Sequence, residues 1–337
     1  MYIDWIHRYV PRIFGCLACI VNPIFIWLVF TDKAATFGNY RYLLLYFASF
    51  NIFYSMLDIL VPITLYGYRY CFYVFLVDGP FYESSSWNQF ILITRCSMVA
   101  CSYAVLLCHF IYRYLIMRGS DYTETQFPMF MVISFGVCIG YFAFWSGLCE
   151  WLAYSVDASD YISEHFLENY GENATNVNII YLTYNENSFE NVFNSWATIT
   201  IFLIASTVSL VAFVVIGHQI MSTLNCITST MSESTKKMQK TLLKTLIVQT
   251  LIPVCVSYLP CFLSWFSPAF NIDLGRSFTD LVVFNLSVFP FLDPVAIVCC
   301  LPTLRNRLLF VLREFKILPP THNVAAVAVT QNSVSAV

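Results

Sequence analysis

Seven stretches of the chain are almost unbroken in apolar residues: 13–30, 42–65, 90–115, 127–149, 197–217, 245–266 and 278–301. A helix needs about 20 mostly apolar residues to cross the hydrocarbon core of a bilayer. The first, fourth, fifth and sixth stretches hold no charged residue. Hydropathy of this kind, repeated seven times at spanning length, makes buried helices of a soluble protein a poor alternative. The pattern predicts an all-α membrane protein, a seven-transmembrane helix bundle. The first stretch is too long for the apolar region of a signal peptide, and no small-x-small cleavage site follows it, so it reads as the first span. Residues 66–89 are aromatic and mixed. Their apolar piece, 71–77, is too short to span and is expected to pack on the helix ends.

After the seventh stretch, apolar residues at 304, 308, 311, 312 and 315 share one helical face, and Arg305, Arg313 and Lys316 occupy much of the rest. That predicts a short amphipathic helix over about 302–317, lying on the inner leaflet. It closes a seven-transmembrane domain of residues 1–317. The remaining 318–337 are rich in Ala, Val and Ser and are expected to form a disordered cytoplasmic tail.

Composition agrees with the pattern. The chain of 337 residues is 58% apolar and 11% charged, against roughly 45–50% and ~25% in soluble domains. A soluble enzyme, a nucleic-acid binder and a coiled coil are all poor fits; the partner implied by composition is the lipid bilayer, and no nucleic acid is expected. Lys and Arg set the orientation. With the N-terminus outside, twelve of them fall on inner segments and four on outer ones, Arg8, Arg12, Arg69 and Arg276. The longest connection, 150–196, carries eight acids and no Lys or Arg. It also holds the sequon Asn173-Ala174-Thr175, a glycosylation candidate on the outer face. The 13 cysteines lie mostly inside apolar runs without metal-ligand spacing and read as small core residues. Neither a metal nor a cofactor is called for.

Ionisable residues inside a span are costly and usually face the bundle interior. Asp58, Arg95 and Asp280 all count to one outer layer, which suggests convergence on Arg95. Two readings stay open: a ligand site near the outer mouth, or a structural ion pair that cancels buried charge. Asp293 lies near the inner side, between Pro290 and Pro294, where missing backbone donors bend the helix. The sixth stretch carries Pro253 and Pro260 and is expected to bend as well. The inner end of the third reads His109-Phe110-Ile111-Tyr112-Arg113-Tyr114, and Lys240 and Lys244 open the sixth. Cys299 and Cys300, just before the amphipathic helix, are palmitoylation candidates.

One ordered set of segments narrows the reading. It runs Phe37-Gly38-Asn39-Tyr40-Arg41-Tyr42-Leu43-Leu44, Phe53-Tyr54, His109 to Tyr114, Lys240-Thr241-Leu242-Leu243-Lys244, Gln249-Thr250-Leu251-Ile252-Pro253, Tyr258-Leu259-Pro260 and Pro290-Phe291-Leu292-Asp293-Pro294. The series resembles the nematode serpentine chemoreceptors of the Str/Srj type, over nearly the whole chain. The resemblance implies a G-protein-coupled receptor of the sensory-neuron plasma membrane, usually ciliary. Such a receptor takes a small-molecule cue and activates a heterotrimeric G protein. It makes His109, Tyr112, Arg113, Asp293, Pro294, Lys240 and Lys244 candidates for coupling and switching, and Asp58, Arg95 and Asp280 candidates for ligand binding. Tyr112-Arg113-Tyr114 stands where rhodopsin-like receptors carry Asp-Arg-Tyr, but the acid is missing. Leu292-Asp293-Pro294 stands near their Asn-Pro-x-x-Tyr, again without its tyrosine. The long outer connection lacks a cysteine, so the usual bond from the third helix cannot form; Cys71 and Cys149 are an alternative pair.

Other functions fit less well. All six lysines lie outside the spans, so no retinal Schiff base can form in the bundle. No inverted repeat suggests a transporter. His109 is the one histidine inside a span and has no second metal ligand at helical spacing, so no membrane enzyme is expected. An odorant-gated channel of inverted topology is disfavoured by the distribution of Lys and Arg.

Overall fold

The computed structural model describes residues 5–31, 38–226 and 233–314. The expected tail 318–337 and the last residues of the expected amphipathic helix, 315–317, lie outside them. Among the described residues, seven helical segments are long and apolar enough to cross a membrane, and the chain is a multi-pass membrane protein.

The first span is α1 (Trp5–Phe30). It starts well before residue 13 because Arg8 and Arg12 find a partner at the bundle rim: Arg8 Nε lies 2.8 Å and Arg12 Nη2 2.6 Å from the carboxylate of Asp78. The second span, α2 (Tyr40–Leu60), stops short of residue 65. Val61 precedes Pro62, and the residue before a proline is pushed out of helical geometry. Its φ and ψ are −131° and 65°. The apolar residues that follow are not helix but strand, β1 (Ile63–Tyr68), which pairs antiparallel with β2 (Cys71–Leu76) from Ile63↔Leu76 to Tyr68↔Cys71. Arg69 takes a left-handed φ of 48° in the two-residue turn between them.

The third span is α3 (Ser86–Met117), capped by the Ser85 hydroxyl, which accepts from Asn88 N at 3.1 Å. The fourth is α4 (Phe127–Ser155). The long connection after it is structured. A short helix, α5 (Ser159–Tyr170), leads to β3 (Ile179–Thr183), which adds to the other edge of β2 with Phe72↔Leu182 and Val74↔Ile180. The fifth span, α6 (Phe189–Cys226), outruns the expected 197–217 at both ends. The sixth is broken: α7 (Glu233–Pro253), a π-helical turn (Val254–Tyr258), then α8 (Leu259–Phe266). Pro253 and Pro260 flank the π turn, and each removes a donor from the helical ladder. The seventh span is α9 (Arg276–Cys300), followed by α10 (Pro302–Glu314). The guanidinium of Arg307 donates to the carbonyl of Thr31 and so ties α10 to the end of α1.

The three strands form one sheet, ordered β1-β2-β3, across one end of the bundle. Alternation puts successive side chains on opposite faces. Leu65, Val74 and Ile180 look into the bundle. Tyr68, Tyr73 and Phe75 look outward onto α5, where the Phe75 ring lies 5.1 Å from Phe166 and 5.0 Å from Tyr170. Every residue of β2 is buried, because both faces are covered. That explains why its sequence reads as a continuous apolar run.

Candidate functional site

Beneath the sheet lies a cavity of about 100 Å³. The sheet closes it from above with Leu65, Phe72, Val74 and Ile180. Its sides come from five spans: α3 gives Ala100 and Tyr103, α4 Trp145 and Cys149, α6 Phe202, the sixth span Ser257, Tyr258 and Trp265, and α9 Leu286. Stacked aromatics form one wall. Trp145 lies 4.5 Å from Phe202 with their planes 12° apart, and Phe202 lies 5.7 Å from Trp265. Mostly apolar, concave and roofed, the cavity has the build of a small-molecule site.

None of Asp58, Arg95 and Asp280 lines it. Arg95, 1% exposed, forms a buried ion pair with Asp58 and lies 4.5 Å from the centre of the Tyr54 ring. Asp280 does not join them. Its carboxylate is 2.8 Å from His7 Nε2, and the other ring nitrogen of His7 meets the Thr64 hydroxyl of β1. The expected three-way convergence is therefore corrected to two separate polar contacts. Counting residues along a helix gives depth, but not the direction a side chain faces. The early start of α1 supplies Asp280 with a nearer partner than Arg95, namely His7.

At the opposite end of the bundle lies a wider, polar cavity of about 530 Å³. Tyr40, Tyr112, Arg113, Glu124, Gln239 and Leu242 are on its wall. Arg113 has no carboxylate partner among the described residues. Its guanidinium instead sits 3.7 Å from the centre of the Tyr40 ring, a cation–π contact. Tyr112 stacks on the same ring at 5.6 Å, and the Tyr40 hydroxyl hydrogen-bonds Nδ1 of His109 at 3.1 Å. One tyrosine from α2 thus gathers His109, Tyr112 and Arg113 of α3. The Nε and Nη2 atoms of Arg113 are buried without hydrogen-bond partners among the described residues. Lys240 and Lys244 are exposed on α7, away from the residues of that helix that face the cavity.

Asp293 and Pro294 are buried within α9, and one carboxylate oxygen of Asp293 has no partner among the described residues. Asn173 is exposed, next to a short 3₁₀ turn in the connection between α5 and β3. Cys299 is exposed and Cys300 half-buried at the end of α9, while Cys71 and Cys149 are buried and free, so the suggested pair does not form. No cluster of potential metal ligands occurs among the described residues.

Sequence reasoning missed the cavity and its lining. The strands that roof it come from segments about a hundred residues apart. The polar groups on its wall are Ser and Tyr hydroxyls, which are too common inside spans to stand out.

The family model described as "Serpentine type 7TM GPCR chemoreceptor Srj" matches residues 1–308. "Serpentine receptor class J-38" of Caenorhabditis elegans is 43% identical over 309 residues, 91% of this chain and 94% of the relative. "Serpentine receptor class r-10" of the same organism is 24% identical over 86% of both chains. "G-protein coupled receptor str-33", also of C. elegans, is 21% identical over 83% of both.

Proposed function

Since the chain belongs to the Srj family of serpentine seven-transmembrane chemoreceptors, a receptor family and not an enzyme family, we propose that it binds a small-molecule cue in the sheet-roofed cavity and activates a heterotrimeric G protein from the opposite end. One observation carries this reading: five spans and the sheet meet around a single apolar cavity of ligand size. A ligand there touches the third and sixth spans together. The sixth is broken at its π turn, so its two halves are free to re-pack against each other, and a shift between two helix packings is how such receptors switch. At the other end, Tyr112, Arg113 and α7 border the polar cavity that a G protein would enter. The sheet end faces outside in this reading, with the N-terminus and Asn173, and the receptor sits in the plasma membrane of a sensory cilium. Arg95 and Asp58 are then a structural pair behind the cavity wall, and Asp280 with His7 holds α9 to α1 at the rim.

The test is calcium imaging of cells expressing the full chain, against a panel of small volatile and water-soluble cues. Ala100→Phe should fill the cavity and abolish any response found, with surface expression retained. A response that survives this substitution at unchanged sensitivity would place the cue elsewhere.

A further inference from the structure

The sheet shuts the cavity off from the water beyond it. β2 is buried on both faces, and α5 lies over it. Both edges of the sheet are also fastened to spans. On the β3 side, Thr183 N donates to Ser195 Oγ of α6 at 2.9 Å, and the Tyr184 hydroxyl, just past the strand, donates to the Trp265 carbonyl at 2.6 Å. On the β1 side, Thr64 meets His7 of α1. Gly67 of β1 lies so close to Pro268 that a Cβ added there would stand 2.9 Å from the proline ring. A molecule coming from above would have to part strands that are paired, covered and tied at both edges.

The side walls are closed unevenly. Between the fourth and fifth spans the stacked rings of Trp145 and Phe202, 8% and 5% exposed, make a tight seal. The fifth and sixth spans meet differently. Ser206 of α6 and Tyr258 and Trp265 of the sixth span line the cavity, yet all three are only half-buried. The outer part of the sixth span, α8, packs chiefly on β1 and α9. Side chains bridge it to α6: the Tyr258 hydroxyl lies within hydrogen-bond reach of Ser206, and the Trp265 ring is 5.7 Å from Phe202. On the α6 side the gap is edged by small residues, since Ala205 stands beside Ser206 and is half-buried as well. Cys96 and Val99 are lining residues of intermediate burial too, but they belong to α3, the span with the largest buried share, so their open side is the cavity itself.

The two bridges across the gap are not equally firm. Trp265 is held through its carbonyl by Tyr184. Tyr258 is the last residue of the π turn, where the sixth span is broken between Pro253 and Pro260. A π turn in a helix is a place of local rearrangement. The contact between Tyr258 and Ser206 is therefore the movable one.

We infer that the cue enters this cavity sideways from the bilayer, through the gap between the fifth and sixth spans and past the Tyr258–Ser206 contact, and hence that it is a neutral, lipid-soluble molecule. None of the described lining residues is charged, and an unpaired charge is strongly disfavoured both in the cavity and in the hydrocarbon through which it would be reached. A neutral apolar molecule, by contrast, concentrates in the bilayer and meets the gap there. Its passage displaces Tyr258 at the bend of the sixth span. This inference rests on the cavity being the cue site.

The experiment uses the purified full-length chain in phosphatidylcholine nanodiscs, with n-butyl fluoride as the probe. A dry cavity of ~150 Å³ holds benzene, so the cavity of about 100 Å³ takes this smaller molecule. Fluorine NMR reads the rates at which probe exchanges between the bound and lipid-dissolved states, and the bound fraction gives the dissociation constant. Ser206→Ala removes the partner of the Tyr258 hydroxyl and should speed entry and exit alike by about five-fold, as expected for one hydrogen bond lost from a closed gate, with the dissociation constant unchanged. Ala205→Leu, which is not in the cavity lining, should narrow the gap and slow both rates several-fold, again at unchanged affinity. Ala100→Phe should abolish binding. Wild-type rates in both Ser206→Ala and Ala205→Leu would overturn the sideways route, and so would a change in affinity with the entry rate untouched. The two readings fail differently. Binding that persists in Ala100→Phe removes the cavity as the site. Binding lost in Ala100→Phe, with both gap variants at wild-type rates, leaves the cavity standing and removes only the route. Should Ala205→Leu fail to fold, Ser206→Ala, the smaller change, decides alone.

Discussion

The amide of Asn22 on the first span donates to the carbonyl of Pro290 on the seventh at 3.1 Å. That carbonyl is free because Pro294, four residues on, has no N–H to give it. The same thing happens one turn earlier: Pro290 leaves the carbonyl of Leu286 without its helical partner, and the hydroxyl of Tyr54 on α2 donates to it at 3.3 Å. Both breaks in the ladder of α9 are thus closed from outside by buried side chains of the first two spans.

Removing either donor should strand a buried carbonyl. Tyr54→Phe and Asn22→Leu are each expected to destabilise the receptor by about 1–3 kcal/mol, the cost of a buried polar group left unpaired. Restoring the backbone donor with Pro294→Ala should recover much of the loss in the Asn22→Leu background and little in the Tyr54→Phe background. Thermal unfolding of the purified variants checks both. Equal rescue in the two backgrounds would contradict the assignment of each carbonyl to its own proline.

The Arg95–Asp58 pair gives the second prediction. Breaking a buried ion pair leaves an uncompensated charge and typically costs about 3–5 kcal/mol, while replacing both partners with apolar residues is often nearly neutral. Arg95→Met should therefore lower the yield of folded receptor sharply, and Arg95→Met with Asp58→Leu should restore much of it. Asp280→Leu should not rescue Arg95→Met, because Asp280 is held by His7. Folded yield by size-exclusion fluorescence distinguishes the two doubles.

How much of this was legible beforehand depends on which interactions are local. The seven spans were, because about 20 consecutive apolar residues state their own role. The end of the second span was not: Ile63 and Leu65 continue its apolar run, yet belong to a strand beyond Pro62. A short apolar run such as 71–77 does not distinguish buried strand from helix by periodicity. Its partner Ile180 lies over a hundred residues away, and nothing local announces that pairing. The bend of the sixth span could be read from Pro253 and Pro260, but the π turn between them could not. The charged layer was half legible. Depth counting brought Arg95 and Asp58 to one level, and misled for Asp280, whose partner His7 belongs to helical turns ahead of the expected start of α1.

At the end opposite the sheet, Tyr40 takes the place of the absent acid beside Arg113. A guanidinium held over a ring is less tightly held than one paired with a carboxylate, with an attraction of about 0.5–2 kcal/mol. Tyr40→Leu removes the ring and the hydrogen bond to His109, and should raise basal G-protein signalling several-fold. Arg113→Ala should abolish activation with surface expression intact. A nucleotide-exchange assay on membranes measures both. Unchanged basal activity in Tyr40→Leu would mean the contact does not restrain the receptor, and wild-type signalling in Arg113→Ala would remove Arg113 from the mechanism.

The layer above the sheet should respond to pH through His165. Its ring stacks on Tyr68 at 4.1 Å, and its Nδ1 lies 3.3 Å from the Tyr73 hydroxyl. Burial holds the imidazole below its ordinary value of 6.5, and Asp273 opposes this only in part. The folded chain therefore keeps His165 neutral over a window in which the unfolded chain already binds the proton. The stabilisation this gives is complete above about pH 6.5 and is lost as pH falls through the lower folded value. His165→Gln should flatten the fall in thermal midpoint between pH 7.5 and 5. The difference between the two chains isolates His165 from every group common to both. A parallel fall in both chains would assign the pH response to other groups.

The last prediction concerns which side of the membrane the sheet faces. Asn173 is exposed, and Thr175 beside it is exposed too, so an oligosaccharyltransferase would meet the sequon unhindered if this end lies in the lumen. Asn285-Leu286-Ser287 also matches the sequon pattern, but it sits in the middle of α9 and cannot be reached. Glycosidase treatment of the receptor from an animal cell should therefore shift its mobility by one glycan, and Asn173→Gln should remove that shift. The four outer positive charges against twelve inner ones point the same way. Labelling adds an independent reading of topology: a tag inserted between α5 and β3 should react with an impermeant reagent on intact cells. Reaction only after permeabilisation would invert the bundle, bring the sheet-roofed cavity to the cytosolic side, and with it overturn the assignment of that cavity to an external cue.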